Sequence, residues 1–374
     1  MKIHVCLVSA QAAANLLPAL DFSMKPEKII LVISAKMRPQ ANYLAAVLRD
    51  NGIMVEQLNL SNEHDFGQIE NELLDIAATL DASGVALNIT GGTKLMSVAA
   101  QSVAAASDWR MFYVDVDTDQ VSWLGRNQPP PQALTEHLRL RHYLRSYGFM
   151  IEGTPEKPQA NRAQEILMDT LVLQIDSLKQ PLSQLNWLAQ QAEDKRNLSV
   201  AMDVQQQDSR SLEALLRNFA EAGALTIDGA TICFPDEDSR SFVKGGWLER
   251  YVFQALNALT GELHIRDRAA NLQVTGGAGV KSEIDIAFMA RNRLFVIECK
   301  TARMDRPEAP KANDTLFKLA ENCRRIGGLG SHGMLVSYRA LRDAEKKLAE
   351  ALGIVQVCGA DIVSLKQKLK AWIA

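Results

Sequence analysis

Residues 282–300 read SEIDIAFMARNRLFVIECK, two runs of alternating character around a polar dipeptide. Alternation with a period of two is the mark of a β-strand, so the segment is expected to form a hairpin turning at Arg291-Asn292. A two-residue loop there sets Asp285 opposite Glu298 and Glu283 opposite Lys300. It also puts Ile284, Ile286, Phe288, Phe295, Ile297 and Cys299 together on the other face, which becomes the core face. Directly opposed side chains have Cβ atoms ~5 Å apart. Two carboxylates at that separation repel by roughly 3 kcal/mol at an effective dielectric of 20, so the pair calls for a cation.

Magnesium and manganese bind carboxylate oxygens, polarise phosphoryl groups and acidify bound water, as phosphodiester hydrolysis requires. Lys300 lies two residues past Glu298, on the same face and about 6 to 7 Å along the strand. It is placed to orient a water or to stabilise charge developing on phosphorus. Upstream, Trp247, Leu248, Tyr251, Val252, Ala255, Leu256 and Leu259 mark a helix with Glu249 at the border of its apolar stripe, within reach of the same metal. The plainer alternative is an ordinary hairpin with a Glu283–Lys300 surface pair, solvent-facing acids and an exposed helix acid at Glu249.

Glu249, Asp285 and Glu298-Cys299-Lys300 resemble the PD-(D/E)xK pattern of restriction-endonuclease-like nucleases, with Ile284 in place of the proline. The resemblance implies Asp285 and Glu298 as principal ligands of Mn2+ or Mg2+, Lys300 as catalytic lysine and Glu249 as accessory ligand. The Leu316-Phe317-Lys318-Leu319 helix, ending at Gly327-Gly328, is also similar to this branch and offers Lys318 as a phosphate contact.

Working outward, residues 1–125 alternate β-branched runs at 3–8, 29–33, 55–60, 85–90 and 111–116 with helical patterns, which reads as a doubly wound sheet. At 88–96, NITGGTKLM, a strand gives way to a helix. Gly91 and Gly92 allow close backbone approach, the helix start presents unpaired N–H groups to an anion, and Thr90, Thr93 and Lys94 add donors. Ligands of open parallel sheets collect at the carboxyl ends of strands, so the loops bearing Ser9, Gln11, Asn15 and Ser34 should share that pocket. GxxxxGK[ST] and GxGxxG are both missing, which sets aside ATPase and NAD readings. A tight turn with a threonine cap is the alternative.

An N-terminal domain carrying Asn88-x-Thr90-Gly91-Gly92-Thr93-Lys94 is similar to the CARF domains that sense cyclic oligoadenylates. With the nuclease motif downstream, the whole chain resembles the CARF nuclease effectors of type III CRISPR systems. That resemblance implies a homodimer, cyclic tetra-adenylate bound across its two-fold axis as activator, and metal-dependent cutting of single-stranded DNA or RNA.

Prolines at 129–131 and at 155 and 158 mark breaks, and residues 158–238 between the two domains hold three helical patterns followed by a hairpin around Asp228-Gly229. The order suggests a winged helix-turn-helix, with a helical spacer as the alternative. The expected fold is therefore multidomain α/β: a Rossmann-like CARF domain at 1–150, a winged-helix-like segment at 158–238 and a restriction-endonuclease-like α/β domain at 239–374. A net charge of -3 over 374 residues leaves any nucleic-acid binding to a local surface, not a global field. Five scattered cysteines without metal spacing fit a reducing, cytoplasmic setting, and the start of the chain lacks a signal-peptide layout. Competing functions are an ungated repair or restriction nuclease and a winged-helix transcriptional regulator with an inert C-terminal domain.

Overall fold

The computed structural model describes residues 2–126, 128–277, 279–301 and 311–374. The first domain runs β1 (Ile3–Leu7), α1 (Ala13–Leu20), β2 (Lys28–Ile33), α2 (Arg38–Asp50), β3 (Met54–Asn59), α3 (Phe66–Ala77), β4 (Val85–Asn88), α4 (Lys94–Ala106) and β5 (Arg110–Asp115). These strands are parallel, in the order β3-β2-β1-β4-β5. Val5, Leu7, Val85 and Leu87 face α3 and α4, while Cys6, Ile29, Leu31 and Ala86 face the side that carries α1 and α2. Burial on both faces explains why β1, β2 and β4 are largely apolar rather than alternating. Two antiparallel strands, β6 (Gln120–Leu124) and β7 (Gln132–Ala133), extend the β5 edge. Their short, mixed sequences carry little alternation.

After α5 (Leu140–Ser146) comes β8 (Phe149–Ile151), which pairs with the C-terminal sheet. A boundary at 150 therefore cuts a strand of the second sheet. The middle segment comprises α6 (Arg162–Leu173), α7 (Ile175–Asp194), β9 (Ser199–Ala201), α8 (Val204–Gln207), α9 (Arg210–Glu221), β10 (Thr226–Asp228) and β11 (Thr231–Cys233). The hairpin is present, but Asp228 pairs with Thr231, so its loop is Gly229-Ala230, and β9 completes a three-stranded sheet. Leu171, Leu185 and Phe219 share one core with Trp247, Phe288 and Ile297 of the next domain, so the segment is packed as a wall of that domain.

The C-terminal part holds α10 (Glu237–Ser241), a π-turn at Phe242–Gly246, α11 (Trp247–Ala258), β12 (Asp267–Gly276), β13 (Lys281–Ala290), β14 (Arg293–Lys300) and α12 (Lys311–Gly327). It ends with β15 (Ser331–Ser337), α13 (Asp343–Ala351), β16 (Ile354–Cys358) and α14 (Leu365–Ile373). The sheet order is β16-β15-β14-β13-β12-β8, with β14, β15 and β16 parallel. Among the described residues, no helix is long and apolar enough to cross a membrane.

Candidate active site and ligand-sensing face

The hairpin turns at Arg291 (φ 48°) and Asn292 (φ 53°), the two positive φ values of a type I′ turn. Pairing runs in the expected register from Ala290 opposite Arg293 to Ile286 opposite Ile297. It then stops at Asp285. On the other side, β12 pairs Ala270 with Ile286 and Leu272 with Ile284, passing over Asn271, whose φ is 47°. The left-handed residue shifts the alternation by one step on both strands. As a result Ile284 packs with Leu272 and Ala287, away from Ile286, Phe288, Phe295, Ile297 and Cys299. This corrects the single apolar face expected from strict alternation. The opposite face is buried too, with Ala287, Met289 and Val296 in the other core cluster.

The break releases the Asp285 carboxylate from the regular pleat. Its Oδ2 accepts from the Cys299 backbone N–H at 2.7 Å, replacing a ladder partner by a charge-assisted bond. Lys300 Nζ lies 2.6 Å from Glu298 Oε1 and 3.7 Å from Asp285 Oδ2. The Glu283–Lys300 pair of the plain-hairpin alternative is thus replaced by pairs to the two buried acids, whose side chains are only 14% and 16% exposed. Glu249, in the first turn of α11, is half-buried and not an exposed helix acid.

The electrostatics follow from that crowding. Burial, and then the Asp285 charge, pushes Glu249 up to about 8. Burial, and then Glu298, raises Asp285 to about 6. At Lys300 burial works against the ammonium, but Asp285 and Glu298 outweigh it and hold the side chain protonated well above its ordinary range. The centre is an excess of acid around one resident cation.

Glu249, Glu283 and Lys300 open onto a groove of about 1300 Å3 whose far wall is α7. Asn186 on α7 donates to Thr301 Oγ1 at 3.2 Å, beside Lys300. The π-turn lets Gly245 (φ 153°) lie against Thr301, where a Cβ would stand 2.3 Å from Oγ1. Arg339, past the end of β15, also lines the groove and donates to the Lys179 carbonyl. These residues escaped the sequence reading because no periodicity links α7 or the β15 end to the hairpin. Lys318 on α12 is exposed and is not among the groove-lining residues.

At the N-terminal domain, β1 and β4 end side by side. Thr93 caps α4, its Oγ1 accepting from Met96 N at 3.2 Å, and both Thr93 and Lys94 are exposed. Ser9 Oγ accepts from Gln11 N, and Ser34 starts the turn after β2. Asn15 corrects the expectation of an outward donor. It is 1% exposed, donating to Leu7 O and accepting from Asn88, because the two strand ends need partners for buried polar groups. Thr90 is likewise committed, bonding Asn88 Oδ1 and accepting from Val114 N. Gly91 permits an approach within the protein: a Cβ there would stand 2.1 Å from Leu7 O. Gly92 needs its positive φ of 77°.

Residues 3–143 match the family model described as the Card1 CARF domain, and residues 236–374 match the Card1-like endonuclease domain. No curated protein matches. Among solved structures, protein VC1899 from Vibrio cholerae is 27% identical, with a TM-score of 0.91 over 100% of this chain and 98% of that one. Can2 from Sulfobacillus thermosulfidooxidans, solved in complex with cyclic tetra-adenylate, is 23% identical with a TM-score of 0.84 over 100% of both chains. A type III CRISPR defence DNA nuclease activated by cyclic oligoadenylate shares 17% identity and a TM-score of 0.58, this chain spanning 50% of its length. The likeness to the last two is one of fold. Residues 3–143 belong to the Card1 CARF domain family and residues 236–374 to the Card1-like endonuclease family, which makes the chain a CARF-domain endonuclease.

Proposed function

We propose that the chain cuts single-stranded DNA or RNA with a divalent metal at Asp285 and Glu298, and that cyclic tetra-adenylate bound to a homodimer of its N-terminal domains switches the cutting on. The observation that carries the reading is the meeting of Asp285, Glu298 and Lys300 at one broken point of the sheet.

The donor set suits a hard divalent ion, since every candidate ligand is a carboxylate oxygen and the acids are in electrostatic need of a cation. Among the described residues no three acid, histidine or cysteine groups are arranged to hold an ion as they stand. The Lys300 ammonium occupies the space between the two acids. A divalent ion would be held by the Asp285 and Glu298 carboxylates, with Glu249 as the further acid, and would compete there with the Lys300 ammonium. When bound, the ion would supply Lewis acidity and an acidified water. Lys300, which also lines the groove, would donate to a phosphate oxygen and stabilise charge as it develops there. Cys299 N–H keeps the Asp285 carboxylate oriented throughout.

For the activator, the start of α4 with Thr93 and Lys94, together with Ser9 and Gln11, offers donors to phosphate, whereas Ser34 is only 5% exposed. Asn15 and Thr90 brace those loops, and Gly91 and Gly92 let them close on β1. A ring with two equal halves suits a two-fold dimer, each protomer supplying the same donors. Can2, which shares this fold, was solved with cyclic tetra-adenylate bound.

Gating needs a mechanical link, and the hairpin turn supplies one. Asn292 is 3% exposed; its Oδ1 accepts from Leu138 N at 2.7 Å and its Nδ2 donates to Glu136 O at 3.2 Å. Arg293 pairs with Asp117 at 2.6 Å. Gln11, from the ligand loop after β1, lines a cavity of about 160 Å3 together with Asn292 and Arg293. One end of the hairpin is therefore tied to the sensing domain and the other end holds the acids. A ligand that binds the active arrangement more tightly shifts the hairpin through this tie.

The test is cleavage of labelled single-stranded DNA and RNA in manganese, with and without cyclic tri-, tetra- and hexa-adenylate, beside Glu298→Ala. Cutting is expected only with the tetra-adenylate and not in the variant. A variant that cuts as well as the parent overturns the site.

A further inference from the structure

Of the five tryptophans, Trp247 and Trp109 are buried, and Trp123 and Trp372 are seated against ring or cation partners. Trp187 is 53% exposed. It stands on α7, whose Leu178, Leu182, Leu185 and Leu188 are all buried in the core on the helix's other side. The groove side carries Gln180, Ser183, Trp187 and Gln190, a stripe at helical spacing directed into the space in front of Glu249 and Lys300. Its neighbour Asn186 reaches Thr301, so the indole is held within one residue of a contact to the active-site strand. A large ring left half in water on a polar wall forgoes the burial or ring contacts that hold the other four in place.

The charges around the ring do not make the groove an electrostatic trap. Lys179 is paired with Asp176 at 2.5 Å and Lys244 with Glu193 at 2.6 Å, Lys300 is engaged by Glu298 and Asp285, Arg339 is engaged by the Lys179 carbonyl and Ser183, and Glu283 adds negative charge. A volume of about 1300 Å3 exceeds the ~300–1,000 Å3 of small-molecule pockets and suits a length of polymer. In such a groove affinity has to come from the faces of bases as well as from phosphates, and aromatic side chains supply it without regard to sequence.

Resting on the reading of this groove as the nuclease site, we infer that Trp187 is a substrate-positioning platform, stacking one unpaired base of a single-stranded nucleic acid while Lys300 and the acids face the adjoining phosphate. A base in a duplex stack has both faces covered and cannot use the platform unless it is flipped out. The residue would thereby favour single strands over duplexes.

The experiment uses the full chain carrying Glu298→Gln, so that substrate is bound and not consumed, with manganese, cyclic tetra-adenylate and a fluorescein-labelled mixed-sequence single-stranded oligonucleotide. Adding Trp187→Ala is expected to weaken binding about 5- to 150-fold, the weight of one stacked base, with Trp187→Phe retaining most of the affinity. Walking a single abasic site along the oligonucleotide should find one position where the parent loses as much and the alanine variant loses nothing further. In the active background the same change should raise KM with little effect on kcat. Unchanged binding by Trp187→Ala, or equal further losses at every abasic position, overturns the inference. If the chain cuts nothing yet the stacked position is found, the nuclease reading fails while the platform stands; if it cuts normally and the position is absent, the platform alone fails.

Discussion

Replacing Asn292 by glycine isolates the tie between sensing domain and active site. Glycine keeps the positive φ of 53° without strain, so the turn itself survives, whereas alanine would add ~1–2 kcal/mol of left-handed backbone cost. What disappears are the bonds to Leu138 N at 2.7 Å and Glu136 O at 3.2 Å. Two net hydrogen bonds amount to about 1 to 3 kcal/mol, and a buried Leu138 N–H left without a partner puts the loss at the upper end. If that energy transmits the activator's effect, the ratio of activated to unactivated cutting should fall about 5- to 150-fold. The assay is cleavage of single-stranded DNA in manganese against cyclic tetra-adenylate concentration, with thermal melting in parallel. A variant that melts lower but keeps the full activation ratio would show that the tie is only structural, and the coupling argument would be wrong.

Other outcomes follow from the same geometry. Lys300→Met should abolish cleavage while leaving manganese binding, measured by calorimetry, intact or tighter, because the competing ammonium is gone from between Asp285 and Glu298. Gly91→Ala should lower the melting temperature and abolish activator binding, since its Cβ would stand 2.1 Å from the backbone oxygen of Leu7, which cannot move without displacing β1. Burial holds His4, whose ring nitrogens lack partners among the described residues, at about 4 against an ordinary 6.5. The folded chain thus resists a proton that the unfolded chain accepts, so stability is full above 6.5 and is lost as pH falls toward 4. The limit is about 3 kcal/mol. Denaturant titrations from pH 7.5 down to 4.5 should show that loss, and His4→Phe should remove this contribution.

Much of this was legible in the chain itself, for stated reasons. The I′ turn at Arg291-Asn292 followed from counting alternation on either side, and the register held from 286 to 290. Among the parallel strands of the first domain, β1, β2 and β4 were visible because burial on both faces keeps them largely apolar, whereas β3 and β5 carry exposed residues. What alternation cannot show is its own interruption: Asn271, with φ 47°, sits in a strand that drew no notice, and it is this residue that shifts Ile284 to the other core and frees Asp285. The groove wall was hidden for a different reason. Pairing α7 with Lys300 depends on contacts between residues 186 and 301, a separation over which local pattern carries no information. At the start of α4 the expected donors included Asn15 and Thr90, but these serve neighbouring backbone, a demand set by how closely β1 and β4 end together.

The central claim is that Asp285 and Glu298 share a divalent ion. A crystal of the full chain grown with manganese, with anomalous diffraction collected for that element, tests it without relying on activity. The expected result is one strong peak bridging the two carboxylates, with the Lys300 ammonium turned out into the groove. A chain that cuts in the same manganese solution but shows its peak elsewhere, with Lys300 still lying between the two acids, would contradict it.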